Sequence, residues 1–439
     1  MKHLHLLGIE GVGMSALAEA LAYLGHRVSG CDQRPGKNSE RLRRKGIAVH
    51  PGHDPAHLGG VSALVVTNAA GDDHPEVRAA RERGVPIEKR IEALARVLAA
   101  RKSLGVSGTH GKTTTTAMLA EILAAAGEDP MALVGARVVG WEGGFRPGNG
   151  PVVAEVDESD RLFPRARADL ALLLNLEDDH LGAERPTYHP SFEALKEAMD
   201  RWLSAARMRV VPAELAEGFG GEAVTFGPGG EYAALELHHY PARSEFLLAH
   251  RGRVLGRISV PLPGEHNAKN ALAAAAAALT WGVPFEAVAE GLAAFRGTGR
   301  RFERLGECCG APVYDDYAHH PTEVAATLKA ARAQGLLVRA VFQPHRYLRT
   351  KNLMDRFAEA LTLADEAIVL DVYAAGEEPI PGVSGAALAE RARKRGANAR
   401  YLGREEALSY LKKTLGPGEL VVFMGAGDVS ELAHRLVEG

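Results

Sequence analysis

Apolar residues in this chain follow two alternating patterns. Short apolar runs are separated by longer stretches in which apolar side chains recur about every three or four positions, the mark of strands alternating with helices. Near the N-terminus the predicted strands are His3–Leu7, Arg27–Ser29, Ala48–Val49 and Ala63–Thr67. The helices between them are Ser15–Tyr23, Ser39–Lys45 and Glu76–Arg83. In the centre, Pro151–Val156 and Ala168–Leu174 read as buried strands, a variable and charged region covers 205–262, and Asn267–Thr280 is an alanine-rich helix of high intrinsic propensity. The pattern then restarts with strands Ala311–Tyr314, Val338–Phe342, Glu366–Leu370 and Glu419–Phe423, and helices Thr322–Ala333, Lys351–Leu361 and Val429–Val437. Such alternation predicts α/β domains built on parallel sheets with crossover helices. The simplest division is three domains, at 1–98, 99–300 and 301–439.

Composition agrees with several domains. A chain of 439 residues is long for one, and 46% hydrophobic with 24% charged residues is the balance of a soluble enzyme. The formal charge of -3 carries no polybasic character, so neither nucleic acid nor a membrane surface is an expected partner. Cys31, Cys308 and Cys309 make neither a metal-ligand ladder nor a disulfide framework and read as ordinary small residues. The N-terminus enters a strand without a signal-peptide segment, and Ala271–Leu279 is too short to span a bilayer. A cytoplasmic protein without membrane insertion is expected.

The strongest chemical signal is Gly108-Thr109-His110-Gly111-Lys112-Thr113-Thr114, between an apolar strand and a helix. Successive backbone N–H groups and a helix start can cradle phosphate, Lys112 adds a positive charge, and the Thr113 hydroxyl can reach a nucleotide-bound magnesium. Gly108 lies three residues before Gly111 rather than the usual five, so this is a variant of the common phosphate loop. ATP binding is the reading.

A second glycine loop, Gly8-Ile9-Glu10-Gly11-Val12-Gly13-Met14-Ser15, follows the first strand, with Asp32 closing the next. Alone it suits a dinucleotide-dependent dehydrogenase or another nucleotide loop. Beside an ATP loop it favours the diphosphate of a nucleotide-linked substrate, with Asp32 either bonding the ribose or base or ending a strand in solvent. Glu10 is awkward there, because a carboxylate repels a diphosphate unless it points away.

Carboxylates end the central strands. Glu155-Val156-Asp157-Glu158-Ser159-Asp160 offers hard oxygen ligands for magnesium, Glu155 first among them, while Glu158 and Asp160 also suit a polar loop. Asn175-Leu176-Glu177-Asp178-Asp179-His180 ends the next strand, and His180 is a second-metal ligand or a surface histidine. Arg300 and Arg301 in Phe295–Glu303 suit phosphate or an interdomain hinge. Asp315–Thr322, Phe342–Thr350 and Asp371–Glu377 place polar groups after three strands, which suggests one substrate-facing edge.

Together these motifs resemble the Mur ligase family, over nearly the whole chain, and its alanine-adding branch in particular. The landmarks are Gly11–Ser15, Gly108–Thr114, Glu155, His180, Glu265–Asn270, Gly299–Glu303, Asp315–Glu323, Phe342–Thr350 and Asp371–Pro379. The resemblance implies a Rossmann-like UDP-substrate-binding domain, a central P-loop ATPase domain and a Rossmann-like C-terminal amino-acid/ligase domain. It implies ATP-dependent joining of L-alanine to the carboxylate of UDP-N-acetylmuramate through an acyl phosphate, in peptidoglycan precursor synthesis, with magnesium (or manganese) and a monomer or homodimer. By the same resemblance Gly108, Thr109, His110, Gly111, Lys112, Thr113 and Thr114 hold ATP phosphates, and Thr113, Glu155 and His180 serve the metals. His266, Asn267, Asn270, Arg301 and Asp316 contact the remainder of ATP. Gly11, Gly13, Met14, Ser15 and Asp32 face the UDP substrate, and His319, His345, Arg346 and Tyr373 surround the muramyl carboxylate and alanine. Lys112, His180, Arg301, His319 and Arg346 are the implied catalytic group. The sequence departs from the family at Leu181-Gly182, where an Asp usually lies two residues after the histidine, at Thr67-Asn68-Ala69-Ala70 and at Glu10.

Overall fold

The computed structural model describes residues 1–438 except 68–69, 179–180 and 183–187. It contains three sheets. The first is parallel and has five strands: β1 (His3–Leu7), β2 (Arg27–Asp32), β3 (Ala48–Pro51), β4 (Ala63–Val66) and β5 (Ile87–Lys89), in the order β3-β2-β1-β4-β5. Helices α1 (Val12–Tyr23), α2 (Lys37–Arg44), α3 (Pro75–Glu82) and α4 (Arg90–Leu98) connect or follow these strands. The strand order reverses between β1 and β4, which opens a crevice at the carboxyl end of β1, where Gly8 begins its loop.

The second sheet has ten strands. Its centre is β6 (Ser103–Ser107), followed by α5 (Lys112–Ala125), β7 (Met131–Leu133), β8 (Phe145–Arg146), β9 (Val152–Glu155), β10 (Leu170–Leu173) and α6 (Phe192–Ser204). β6 lies between β9 and β10, parallel to both. The charged region forms five further strands of this sheet: β11 (Met208–Pro212), β12 (Val224–Phe226), β13 (Tyr232–Tyr240), β14 (Arg243–His250) and β15 (Arg253–Val260). Helices α7 (Glu265–Trp281) and α8 (Phe285–Ala294) follow. In α7 every residue from Ala273 to Ala278 is buried. Gly291 of α8 meets the backbone of α5: a Cβ there would lie 2.4 Å from Ile122 Cα and 2.7 Å from Ile122 N.

The third sheet has six strands, β16 (Glu303–Cys308), β17 (Ala311–Asp316), β18 (Leu337–Phe342), β19 (Glu366–Val369), β20 (Ala399–Tyr401) and β21 (Glu419–Met424), in the order β16-β17-β21-β18-β19-β20. Only β16 is antiparallel to its neighbour. Its helices are α9 (Pro321–Arg332), α10 (Tyr347–Ala360), α11 (Gly385–Lys394), α12 (Arg404–Thr414) and α13 (Val429–Glu438). One apolar cluster packs on each face of this sheet, around Val338, Phe342 and Val422 on one side and Val341, Ile368 and Phe423 on the other.

The chain divides into two compact units: Met1–Leu237 with Glu245–Pro261 and Asn267–Arg296, and His238–Ser244 with Leu262–His266 and Gly297–Gly439. The first two sheets share the first unit because one apolar core runs through both, from Leu4 and Leu17 to Val152 and Trp202. Among the described residues no helix is long and apolar enough to cross a membrane.

Candidate active site

β6 ends at Ser107, and the phosphate loop turns directly into α5. Gly108 and Gly111 have φ of +139° and +83°, backbone that a side chain would strain. Asn270 of α7 covers the loop; its Oδ1 would lie 2.3 Å from a Cβ on Gly111. Asn175, beyond β10, clamps the loop from the other side. Its Oδ1 accepts from His110 N at 2.8 Å and its Nδ2 donates to His110 O at 3.0 Å. Glu177 N donates to Thr109 Oγ1 at 2.9 Å, and the Glu177 carboxylate lies 3.6 Å from His110 Nε2.

Lys112 Nζ donates to Gly108 O at 2.7 Å and to Glu158 Oε2 at 2.8 Å. Burial works against the lysine charge, but Glu158, with Asp157 and Glu155, more than offsets it, so the ammonium is held above the ordinary lysine range. Burial lifts the Glu158 carboxyl, and Lys112 pulls it the other way. Glu155 Oε2 accepts from Thr113 Oγ1 at 2.9 Å and from Gly135 N at 2.8 Å. A hydroxyl and a carboxylate oxygen in contact, beside a glycine loop at a helix start, fit a hard divalent cation carried with a phosphate. Asp160 accepts from Leu162 N at 2.9 Å and shapes the next turn. His180 lies outside the described residues, as do Asn68 and Ala69.

The first glycine loop answers the difficulty with Glu10. Its carboxylate points at the N-terminus of α2, accepting from Gly36 N (2.9 Å), Asn38 N (3.1 Å), Ser39 N (2.8 Å) and Ser39 Oγ (2.6 Å). Partial burial opposes its charge, yet these donors bring its pKa below the ordinary value. Asp32 accepts from Glu10 N at 3.2 Å and Arg34 N at 3.0 Å, and so fixes both turns at the crevice. Gly8 has φ +74°, and Gly11 N donates to Gly8 O at 3.3 Å. Met14 and Ser15 are buried in α1; the Ser15 hydroxyl donates to Val12 O and accepts from Arg41, which also bonds Glu19.

Arg90, at the start of α4, stands between the first glycine loop and the acidic segment that follows β9. Its Nη2 is 3.3 Å from Asp157 Oδ2, and its Nη1 would lie 3.2 Å from a Cβ on Gly13. Sequence reasoning missed Arg90, which sits in no motif. It passed over Asn175 as one polar residue among several.

In the second unit the polar groups lie beyond β17, β18 and β19. Asp316 is buried, and its two oxygens accept from Phe302 N at 2.7 Å and Ala318 N at 2.8 Å. Burial raises its pKa from 3.8 to about 6, against the pull of Arg301. Arg300 donates to Gly425 O at 2.5 Å and pairs with Asp315 at 3.3 Å; Arg301 lies 3.8 Å from Glu323. His319 Nδ1 is 3.2 Å from Glu323 Oε2, and its ring meets that of His345 with centroids 6.0 Å apart. His345 stacks on Tyr373 at 5.5 Å. Arg346, with φ +71°, donates its N–H to Tyr373 O at 2.8 Å, and its side chain lies 3.6 Å from Glu377. His319, His345, Arg346 and Tyr373 thus form one group, with Glu323 and Glu377 as carboxylates behind it. His266 belongs to this unit and is kept neutral, its pKa lowered to about 4 by burial and then by Arg301. Asn267 and Asn270 belong to the first unit.

Comparison with known proteins covers the same three regions. Residues 3–102 match the Mur ligase family catalytic domain, 106–278 the Mur ligase middle domain, and 300–427 the Mur ligase glutamate ligase domain. The UDP-N-acetylmuramate–L-alanine ligase of Deinococcus radiodurans is 44% identical over 452 aligned positions, covering 100% of this chain and 94% of that protein. That of Kineococcus radiotolerans is also 44% identical, over 99% of this chain and 95% of its own length. The crystal structure of UDP-N-acetylmuramate–alanine ligase from Thermotoga maritima superposes with a TM-score of 0.85 at 30% identity, covering 100% and 99% of the two chains. Three sheets, a glycine loop at the head of each of the first two, and likeness along the full length lead to one conclusion: the chain belongs to the Mur ligase family.

Proposed function

We propose that this chain joins L-alanine to the carboxylate of UDP-N-acetylmuramate, consuming ATP and releasing ADP and phosphate, in peptidoglycan precursor synthesis. The observation that carries this reading is the phosphate loop, with Lys112 on Glu158 and Thr113 on Glu155, in a chain whose full length matches ligases of that activity. A carboxylate is a poor acyl donor. Its attack on the γ-phosphate of ATP makes an acyl phosphate and frees ADP. The neutral amine of alanine then attacks the carbonyl, the C–O bond to phosphate breaks, and the amine loses its extra proton.

Each residue group has a place in this sequence. Gly108 to Thr114 hold the ATP phosphates, and Lys112 exchanges its loop carbonyls for phosphate oxygens. Thr113 and Glu155 would hold magnesium, with manganese as a substitute, which neutralises phosphate charge. The family resemblance assigns His266, Asn267, Asn270, Arg301 and Asp316 to the rest of the nucleotide. Gly11, Gly13 and Asp32 receive the UDP moiety at the crevice beside β1. His319, held by Glu323, and Arg346, held by Glu377, orient the acceptor carboxylate and the amino acid against His345 and Tyr373. All three substrates are nucleotides, nucleotide-linked compounds or central metabolites, so the working compartment is the cytoplasm.

The test is ADP release with UDP-N-acetylmuramate, ATP and magnesium, with and without L-alanine, alongside mass detection of the amide. Alanine-dependent ADP and UDP-N-acetylmuramoyl-L-alanine in equal amounts are expected. Turnover with a peptide and not with alanine would reassign the amino-acid side of the reaction. No turnover with either would overturn the ligase reading.

A further inference from the structure

On the face of the first sheet covered by α3, four side chains from four elements converge. They are His5 of β1, Cys31 of β2, His57 in the short helical turn Pro55–Leu58, and Glu76 of α3. One ligand atom from each lies within 4.8 Å of all the others. Cys31 Sγ is 3.2 Å from Glu76 Oε1, His57 Nδ1 is 2.9 Å from the same oxygen, and His5 Nε2 is 3.6 Å from Glu76 Oε2. Tetrahedral ligands at ordinary zinc bond lengths stand roughly 3.3–3.8 Å apart, so small side-chain shifts suffice.

Two features point to a cation. Glu76 is fully buried, and its ion-pair partners among the described residues are two histidines rather than a lysine or arginine. His5 is also fully buried. Its Nδ1 bonds Ser29 Oγ at 2.8 Å, which leaves Nε2 aimed into the cluster with no hydrogen-bond partner among the described residues. That is the arrangement in which a second partner orients a metal-binding imidazole.

We propose that His5, Cys31, His57 and Glu76 bind one divalent transition-metal ion, zinc by the chemistry of the donors. One thiolate, two imidazoles and a carboxylate suit zinc and exclude magnesium or calcium as the preferred ion. Four protein ligands leave no open position, so the ion is structural. It ties two strands and the turn to α3. On binding, the Cys31 S–H bond breaks and its proton goes to solvent, while the sulfur lone pair goes to the metal. His53, 3.3 Å from Cys31 Sγ through Nδ1, and Asp54, whose N–H donates to Glu76 Oε1 at 3.0 Å, support the ligands from outside. The four ligands are scattered along the sequence, which is why no spacing motif announces them.

Cobalt is the probe that reads the sulfur directly. The full-length protein, stripped with a chelator and desalted, is titrated with Co²⁺ and followed by absorption. The expected result is a saturable thiolate-to-cobalt charge-transfer band at about one equivalent, displaced by Zn²⁺. The band should persist in a Cys308→Ser, Cys309→Ser variant and vanish in Cys31→Ser and in His57→Gln. Zinc should also raise the melting temperature of the wild-type protein and not that of Cys31→Ser. Absence of the band in the wild-type protein would overturn the proposal whether or not the variants fold. A band that survives Cys31→Ser would overturn it too.

Discussion

Glu155 gives one carboxylate oxygen to both Thr113 and Gly135, so its charge is positioned by a helix start and a loop together. Glu155→Gln keeps the shape and loses the charge. We expect the magnesium concentration for half-maximal ADP release to rise at least about tenfold, with little change in folding by circular dichroism. Asn175→Ala removes two bonds to His110 at net values of about 1 kcal/mol each, and should raise the KM for ATP about tenfold or more. Asp316 gives a pH signature. Its folded pKa, about 6, lies above its ordinary 3.8, so the native state holds the proton more tightly than the unfolded chain. Stability relative to Asp316→Asn should therefore fall as pH rises from about 4 to about 6, by about 3 kcal/mol in all, and stay level above. Chemical denaturation of both proteins at the two ends of that window measures it. Lys112 and Thr113 were legible in the sequence because the loop is written contiguously, and Glu155 because it ends an apolar strand in a run of carboxylates. Arg90 and Asn175 were not, because they act on groups far off in the sequence, Asp157 and His110.

At the scale of elements, α2 depends on a residue outside it. Glu10 supplies the acceptors that the first turn of α2 lacks, since Gly36 at its N-cap has no side chain. Glu10→Ala should cost about 1–2 kcal/mol and lower the melting temperature by about 2–4 °C, read by scanning fluorimetry. Smaller loss than from Ala substitution at exposed Glu40 would contradict this. Strands β1 to β4, β17 to β19 and β21 were readable because parallel strands buried on both faces are largely apolar runs, as in Ala63–Val66 and Leu420–Met424, whereas the three-residue strands β5 and β20 were too short to stand out. Strands β13 to β15 hid in the charged region because much of their surface stays in solvent, so polar side chains interrupt every run. β16 was missed for the same reason, with none of its residues buried.

The whole molecule has two units, each with its own apolar core. Calorimetry should resolve two unfolding transitions. A nonhydrolysable ATP analogue with magnesium, at about one hundred times its Kd, should stabilise the unit carrying Gly108–Thr114 by about 2.7 kcal/mol. A single transition moving as one would contradict independent cores. Three sheets could be anticipated from periodicity; the fusion of two of them into one unit could not, because it rests on a shared core that no local pattern records.

Gly291 carries this logic to heredity. Where α8 meets α5, the backbones are too close for even a methyl group, and α5 begins at Lys112. A geneticist selecting temperature-sensitive alleles of a cell-wall ligase would search near the nucleotide. In this chain Gly291→Ala is the better place to look: it lies in α8, outside both glycine loops, yet it pushes on Ile122 of the helix that the phosphate loop opens. Such a lesion should behave as a failure to use ATP at elevated temperature and be silent when cool.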